Sequence, residues 1–210
     1  SSWVCSDSIF HNGQYYGTVQ IGSQCWMSEN LNIGTRIDRT IDQSDNGTIE
    51  KYCYDNISDS CEIYGGLYQW NEMMLYFTDS ITQGICPAGW HIPTDYEWKI
   101  LEGTVDSQYG VGHSEWEHGG WRGYDAAKHL KSSNGWFNNG NGTDLFDFKV
   151  EPGGSCFLNG FGYIGEVSYL WSSIYTGGNA YFRLFKHDKD ETYRLDNNRN
   201  FGFSVRCIKD

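Results

Sequence analysis

The sequence has little proline and no long apolar run. Only three of its 210 residues are proline, and no stretch approaches the run of about 18 apolar residues that spans a bilayer as a helix. We therefore expect no membrane insertion. Lysine and arginine are not clustered, and the formal net charge is −12. Nucleic-acid binding is disfavoured, because phosphate contacts depend on clustered basic side chains.

The cysteines lack the spacing of a structural zinc site. Seven are present, without a Cys-x-x-Cys pair or a matching Cys/His pattern. An oxidising compartment explains them better, and an extracellular location follows. We predict three disulfides, Cys5–Cys25, Cys53–Cys61 and Cys86–Cys207. Cys156 is left over, either as a buried spare thiol or as a reactive group.

Aromatic residues make up 17% of the chain, and glycine is frequent, with 26 residues. This composition is typical of turn-rich sheet packed on rings. No linker and no internal repeat is visible, so residues 1–210 are predicted to be one α+β domain. The chain begins at Ser1 without a leader sequence, so a signal peptide is expected either to have been removed or to lie far upstream. We expect the chain to be part of a larger secreted surface protein.

Local patterns predict the main elements. Asn12-Gly13 is a preferred hairpin turn between strands near 8–10 and 15–21. Residues 67–75 carry apolar side chains at helical spacing, and a further short helix is predicted at 125–131. Thr94-Asp95-Tyr96-Glu97 forms a capping box at the start of another helix. Residues 32–60 are predicted to be loop, and strands are predicted at 136–137, 146–150, 169–171, 180–185 and 203–208.

Several sequence segments resemble the motifs of one protein family. They are Gly22-Ser23-Gln24-Cys25-Trp26-Met27-Ser28-Glu29-Asn30-Leu31, Tyr64-Gly65-Gly66-Leu67-Tyr68-Gln69-Trp70, Cys86-Pro87-Ala88-Gly89-Trp90-His91-Ile92-Pro93-Thr94 and Gly202-Phe203-Ser204-Val205-Arg206-Cys207. In this order they resemble the Fibrobacter succinogenes major paralogous domain, which is similar to C-type-lectin-like and formylglycine-generating-enzyme-like folds. The resemblance implies a disulfide-braced, twisted and mostly antiparallel sheet with two main helices and long irregular loops. It also implies a secreted bacterial surface protein.

Oxygen-bearing side chains alternate in one loop. Asp42, Ser44 and Asn46 occupy the places that ligands take in a calcium loop, although Cys53 stands where a bidentate Glu belongs. Asp188 and Asp190 form a second candidate calcium cluster. A solvated polar turn requires the same residue types, so this alternative stays open. The segment 113–118 holds two histidines and two glutamates that fit either a transition-metal site or a polar insertion.

Rings and fixed donors or acceptors are mixed near the end of the chain, a composition suited to selective binding. We predict ligand binding by Tyr175, Asn179, Tyr181, Arg183, Asp196, Asn198 and Asn200. The alternative is ordinary edge-strand polarity. Glu151 is also predicted to bind ligand, because Glu151-Pro152-Gly153 resembles the Glu-Pro-Asn sugar motif of calcium-dependent lectins. The Fibrobacter succinogenes major paralogous domain usually has an apolar residue at the position of Glu151.

The sequence thus predicts an extracellular ligand-binding or adhesion module, not an enzyme. It is expected to be monomeric and calcium-assisted, and to recognise a peptide or a glycan. One alternative is an enzyme related to formylglycine generation or glycan cleavage, for which Cys156 would be the reactive group. A second alternative is a structural module that only spaces other domains.

Overall fold

The computed structural model describes residues 3–210, which form an α+β fold with mostly antiparallel sheets. The helices are α1 (Ser58–Tyr64), α2 (Trp70–Met73), α3 (Asp95–Val105) and α4 (Ala126–Leu130). The strands are β1 (Ile9–His11), β2 (Gln14–Tyr16), β3 (Thr18–Ile21), β4 (Gln24–Met27), β5 (Thr35–Arg36), β6 (Glu50–Lys51), β7 (Trp90–His91), β8 (Gly120–Arg122), β9 (Ser155–Phe157), β10 (Gly160–Gly162), β11 (Val167–Thr176), β12 (Asn179–Lys186), β13 (Thr192–Asn198) and β14 (Ile208–Lys209).

Two four-stranded sheets organise these elements. Sheet A has the strand order β11-β12-β13-β8, and sheet B has the order β3-β4-β14-β7. All neighbouring strands within both sheets are antiparallel. The long strands β11, β12 and β13 all belong to sheet A, so this sheet offers the larger surface.

The predicted hairpin is confirmed as β1 and β2. Asn12 and Gly13 have φ angles of 46° and 94°. Two successive residues in the left-handed region are what a two-residue turn between antiparallel strands requires, and Asn and Gly tolerate that region best. The local sequence therefore determines this turn without help from the rest of the fold.

Helix α3 begins as the capping box predicts. The backbone N–H of Glu97 donates to Thr94 Oγ1 at 3.2 Å, and the backbone N–H of Thr94 donates to Glu97 Oε2 at 2.8 Å. Trp98 and Leu101 are fully buried on its inner side. The indole N–H of Trp98 donates to the carbonyl oxygen of Trp171 at 3.3 Å, which holds α3 against sheet A.

All three predicted disulfides are confirmed. Cys86 and Cys207 are 121 residues apart in sequence, so their bond fixes the segment before β7 to the segment before β14. By the loop-entropy model, such a closure stabilises the folded state by about 4–5 kcal/mol. Among residues 3–210, Cys156 is the free cysteine, and it is buried.

Four of the predicted elements differ from the structure. The helix predicted at 67–75 is only the single turn α2, because Leu75 and Tyr76 adopt φ angles of 49° and 63° that end it. The predicted loop 32–60 contains β5 and β6 and ends inside α1. The strand predicted at 146–150 is interrupted by left-handed backbone at Asp147 and Lys149, and 136–137 leads into a 3-10 turn.

Candidate functional site

The two faces of sheet A have different partners. Residues alternate between them, so Phe182 and Leu184 point to one face while Tyr181, Arg183 and Phe185 point to the other. We call the face toward α3 the inner face and the opposite face the outer face. The contacts on each face determine whether that face holds the fold together or is free to bind a ligand.

The inner face carries arginines that are paired with acids of α3. Arg183 donates from Nε to Glu102 Oε1 and from Nη1 to Asp95 Oδ1, both at 2.9 Å. Arg194 donates to both oxygens of Asp95 at 2.8 Å, and Arg122 binds the second oxygen of Glu102. Burial opposes the charge of Asp95, but the guanidinium groups of Arg194 and Arg183 hold the pKa of its carboxyl well below the usual range. The network therefore fastens α3 to the sheet.

Arg183 was predicted to bind ligand, and this placement is a correction. Its side chain is fully buried, and three of its donor atoms are engaged by Asp95 and Glu102. An external ligand does not reach it. Sequence alternation shows that Arg183 faces away from Phe182 and Leu184, but it does not show that the charged side is the buried one.

The outer face forms a concave surface that we call the aromatic groove. It encloses about 480 Å³. Its apolar lining consists of Trp121, Tyr163, Val167, Tyr169, Phe182, Leu184, Tyr193 and Leu195, and its polar lining of Glu166, Lys186 and Asn197. Phe182 forms a buried floor, whereas Trp121, Tyr163 and Leu195 are 38%, 54% and 41% exposed. Large apolar side chains clustered and exposed in this way typically mark a binding surface.

The rings of the groove are fixed by packing on one another. Trp121 and Tyr193 meet edge to face with centroids 5.0 Å apart, and Tyr169 stacks on Phe203 at 4.5 Å. The ammonium of Lys189 lies 5.6 Å from the Trp121 ring centre. A ligand would thus meet rings whose orientations are already set, which reduces the entropy lost on binding.

The polar groups of the groove are placed at its margins. Burial, together with the nearby Tyr163 and Tyr193, raises the pKa of Tyr169 to about 12, so its phenol stays neutral. Lys186 Nζ donates to Asp188 Oδ2 at 3.0 Å, and both side chains are partly exposed. Glu166 and Asn197 are half-buried. Together they offer donors and acceptors beside an apolar surface.

The edge of sheet A at β11, on the side away from β12, is already hydrogen-bonded. The N–H of Trp171 donates to Ser204 O at 3.2 Å, and the N–H of Ser204 donates to Tyr169 O at 3.0 Å. Gly154 N donates to Val167 O at 2.9 Å. At the opposite edge, β8 has only three residues. Sheet A therefore offers an extended peptide only short edges, which are β8 and residues 195–198 of β13 that β8 does not pair.

The other predicted ligand-binding residues of this sheet gather at one end. Thr176 Oγ1 and Asn179 Nδ2 both donate to Asp196 Oδ2, at 2.5 and 3.3 Å. Asn198 Oδ1 accepts from the N–H of Asn200, and Tyr181 lies under the guanidinium of Arg194 at 4.3 Å.

Tyr175 is 40% exposed at this end and packs on Trp70 with ring centroids 5.4 Å apart. The structure brings these residues together, but Tyr181, Asp196 and Asn198 alternate to the inner face. Their role in ligand binding stays a prediction. Glu151 lies apart from them, in a separate pocket.

The predicted calcium loop is held by hydrogen bonds within the protein. Asp42 Oδ1 accepts from Gln69 Nε2 at 2.9 Å. The backbone of Ser44 and the side-chain amide of Asn46 both donate to Glu50, each at 2.9 Å. Across residues 3–210, no group of three or more His, Cys, Asp or Glu side chains is arranged to hold a metal ion.

The other metal candidates also bind protein groups. Asp188 pairs with Lys186, and the carboxylate of Asp190 lies 3.9 Å from the ammonium of Lys128. In the 113–118 segment, Glu117 binds Lys99 at 2.6 Å. These arrangements satisfy the acids without a cation, so calcium binding stays a prediction and the function proposed below does not use it.

Cys156 is poorly suited to nucleophilic chemistry. It is 4% exposed, and burial raises the pKa of its thiol to about 12, with a smaller opposing effect from Arg39. The thiolate is the nucleophile, so this side chain is almost entirely unreactive near neutral pH. The structure therefore gives the thiol-based enzyme alternative no activated group at this residue.

Sequence reasoning missed the aromatic groove. The signal lay in β13, where Tyr193 and Leu195 alternate with the charged Arg194 and Asp196. No strand is predicted there, because Asp188, Asp190 and the asparagines after 196 give the region the composition of a polar loop. The outer-face residues become a group only once β13 is paired with β12 and with β8.

Among residues 3–210, no helix has the length and apolar character needed to cross a membrane.

No curated protein and no solved structure matches the chain. A family model described as the Fibrobacter succinogenes major domain matches residues 19–209. This match covers nearly the whole chain and agrees with the motifs from Gly22 to Cys207. The chain therefore belongs to the Fibrobacter succinogenes major domain family.

Proposed function

We propose that this protein is an extracellular binding module that holds a glycan chain in the aromatic groove of sheet A. One observation carries the proposal: Trp121 and Leu195 of sheet A and Tyr163, which precedes β11, are exposed in one groove, and Tyr193 packs beside Trp121. A sugar ring has an apolar C–H face that packs on such rings, and its hydroxyl groups need donors and acceptors at the margin. Glu166, Lys186 and Asn197 stand there.

A glycan fits the groove better than a peptide does. Peptides that bind to sheets commonly add a strand to a free edge. In sheet A the edge at β11 is already paired and β8 is short. The binding surface is instead the side-chain face, where affinity comes from ring contacts rather than from backbone hydrogen bonds.

The three disulfides support placement outside the cytosol, because such bonds persist in oxidising compartments. We further propose a C-type-lectin-like relationship, which an α+β fold with short helices and long irregular segments supports. In this proposal the protein attaches a cell surface to a polysaccharide, and it performs no chemistry on its ligand.

The test is a glycan array followed by calorimetry on the best oligosaccharide, with and without a calcium chelator. We expect Trp121→Ala and Tyr163→Ala each to weaken binding by at least about tenfold, as truncation of a central ring commonly does. The matched control is Tyr96→Ala, since Tyr96 is 68% exposed on α3 and lies outside the groove.

The proposal fails if the groove variants bind as tightly as the unmodified protein. It also fails if a peptide array gives saturable binding while glycans give none. Loss of glycan binding on chelation would show that calcium takes part in binding. Unchanged binding would show that the groove binds the glycan without calcium.

A further inference from the structure

Four accessible apolar side chains of the aromatic groove form one row across sheet A. Tyr169 of β11 lies directly opposite Leu184 of β12, Leu184 lies opposite Tyr193 of β13, and Tyr193 lies opposite Trp121 of β8. We call these four residues the cross-strand row. The first three are half-buried, and Trp121 is 38% exposed. Because neighbouring strands are about 4.8 Å apart, the row is about 14 Å long.

The accessible apolar surface is shorter along the strands than across them. On the outer face of β12, Leu184 lies between Phe182 and Lys186. Phe182 is 2% exposed, and its ring packs on that of Phe203 with centroids 5.5 Å apart. Lys186 is charged and binds Asp188. A ligand that follows the apolar surface therefore lies across the strands rather than along them.

Polar side chains flank the row on both of its long sides. Glu166 and Lys186 lie on one side. On the other side, the apolar run of β13 continues only from Tyr193 to Leu195 before it reaches Asn197. A sugar ring that lies flat on the row directs the hydroxyls in its plane toward these polar groups. A hydroxyl perpendicular to the ring would instead meet apolar side chains, where it loses its hydrogen bonds to water.

The size of the groove indicates a ligand of more than one sugar ring. The groove encloses about 480 Å³. The strand spacing of about 4.8 Å is close to the advance of one ring in an extended glycan. The cross-strand row therefore offers contacts to about three or four successive rings at a spacing of this kind.

We propose that the cross-strand row binds an unbranched run of pyranose rings joined through equatorial bonds, with the sugar chain perpendicular to the strands. This inference rests on the glycan binding proposed above and adds the class of glycan and its orientation. Equatorial bonds keep the sugar chain extended, so that successive rings stay on a straight row. They also leave the C–H faces free to pack on the row, whereas an axial bond turns the sugar chain away from it.

The first experiment measures affinity against the length and linkage of the glycan. The probes are β-1,4-linked oligosaccharides of glucose, xylose and N-acetylglucosamine with two to six rings, and maltohexaose, which is α-1,4-linked glucose. In calorimetry we expect at least one β-linked series to gain at least about tenfold in affinity from two rings to four, because each added ring meets another side chain of the row. Beyond four rings the gain should be less than about twofold, since the row ends. Maltohexaose should bind at least about tenfold more weakly than the best β-linked hexamer.

A variant at one end of the row tests the same dependence on length. Trp121→Ala should weaken binding of the best hexamer by at least about tenfold. It should change binding of the dimer by less than about twofold, because a dimer still finds the rest of the row. Tyr96→Ala is the control at both lengths, since Tyr96 is 68% exposed and lies outside the groove.

The second experiment measures the orientation of the glycan in the unmodified protein. A nitroxide is attached to the reducing end of the best tetramer, and the broadening of side-chain NMR signals is recorded. We expect broadening that changes along the row from Tyr169 to Trp121 and stays even along β12 from Phe182 to Lys186.

Several results would overturn this inference while leaving glycan binding in the groove intact. They are an affinity that does not depend on length, equally tight binding of maltohexaose, equal losses of dimer and hexamer binding in Trp121→Ala, and broadening that changes along β12 instead of along the row. Absence of binding by every oligosaccharide would overturn both this inference and the proposed function.

Discussion

The two faces of sheet A arrange polar and apolar side chains in opposite ways. The inner face buries Arg122 and Arg183 and pairs them with Asp95 and Glu102 of α3. The outer face leaves Trp121, with other rings, partly in solvent. If folding buried only apolar side chains, the rings would be buried and the arginines would be in solvent. The difference teaches that pairing is what allows charge inside the fold, and that exposed rings on a rigid sheet are available for a ligand.

The largest effect is expected on the inner face. Glu102→Ala removes the partner of two buried guanidinium groups, Arg122 and Arg183. Breaking a buried ion pair in this way costs about 3–5 kcal/mol of unfolding free energy, which denaturant titration measures. Glu117→Ala, which breaks only the exposed pair with Lys99, should cost less than about 1 kcal/mol. Equal losses in the two variants would contradict the view that the network holds α3 in place.

The outer face should behave in the opposite way. Leu195 is 41% exposed in the groove. Leu195→Lys is therefore expected to change the unfolding free energy by less than about 1 kcal/mol. The same change puts a charge among the rings and should abolish glycan binding, which calorimetry reports. A strongly destabilised protein, or one that binds normally, would show that this face is ordinary surface.

The smallest effect concerns pH. The pKa of Asp95 is lowered in the folded protein by Arg194 and Arg183, although burial acts against them. Its contribution to stability is therefore complete above its unfolded pKa of about 3.9 and is lost as the pH falls through the folded value. We expect the difference in melting temperature between the unmodified protein and Asp95→Asn to shrink as the pH falls from 5 to 2. A constant difference would mean that the carboxylate charge contributes nothing.

Local structure could be predicted from the sequence wherever a few neighbouring residues determine it. The Asn12-Gly13 turn, the capping box at Thr94 and the pairing of Cys53 with Cys61 are of this kind. Left-handed backbone at Leu75 could not be predicted, because a leucine rarely adopts it and nothing in the residue type indicates it there.

The site was harder to predict than the fold. Alternation along β12 identifies two faces, and the hydrophobic pattern suggests that the side with Phe182 and Leu184 is fully covered and that Arg183 is exposed. The structure shows that Arg183 is buried instead, because Asp95 and Glu102 lie 88 and 81 residues away in sequence and meet it only after folding. Likewise, Arg206 and Glu151 become neighbours in one pocket through contacts far apart in sequence.

The most direct measurement of the central claim is saturation-transfer NMR between an oligosaccharide selected on the array and protein labelled in its aromatic rings. Binding through the groove predicts contacts from the sugar C–H protons to Trp121, Tyr163 and Tyr193, with none to Tyr175 or Tyr96. Contacts confined to Tyr175 and the end of sheet A, or to no ring of the outer face, would contradict the assignment of the aromatic groove as the binding site.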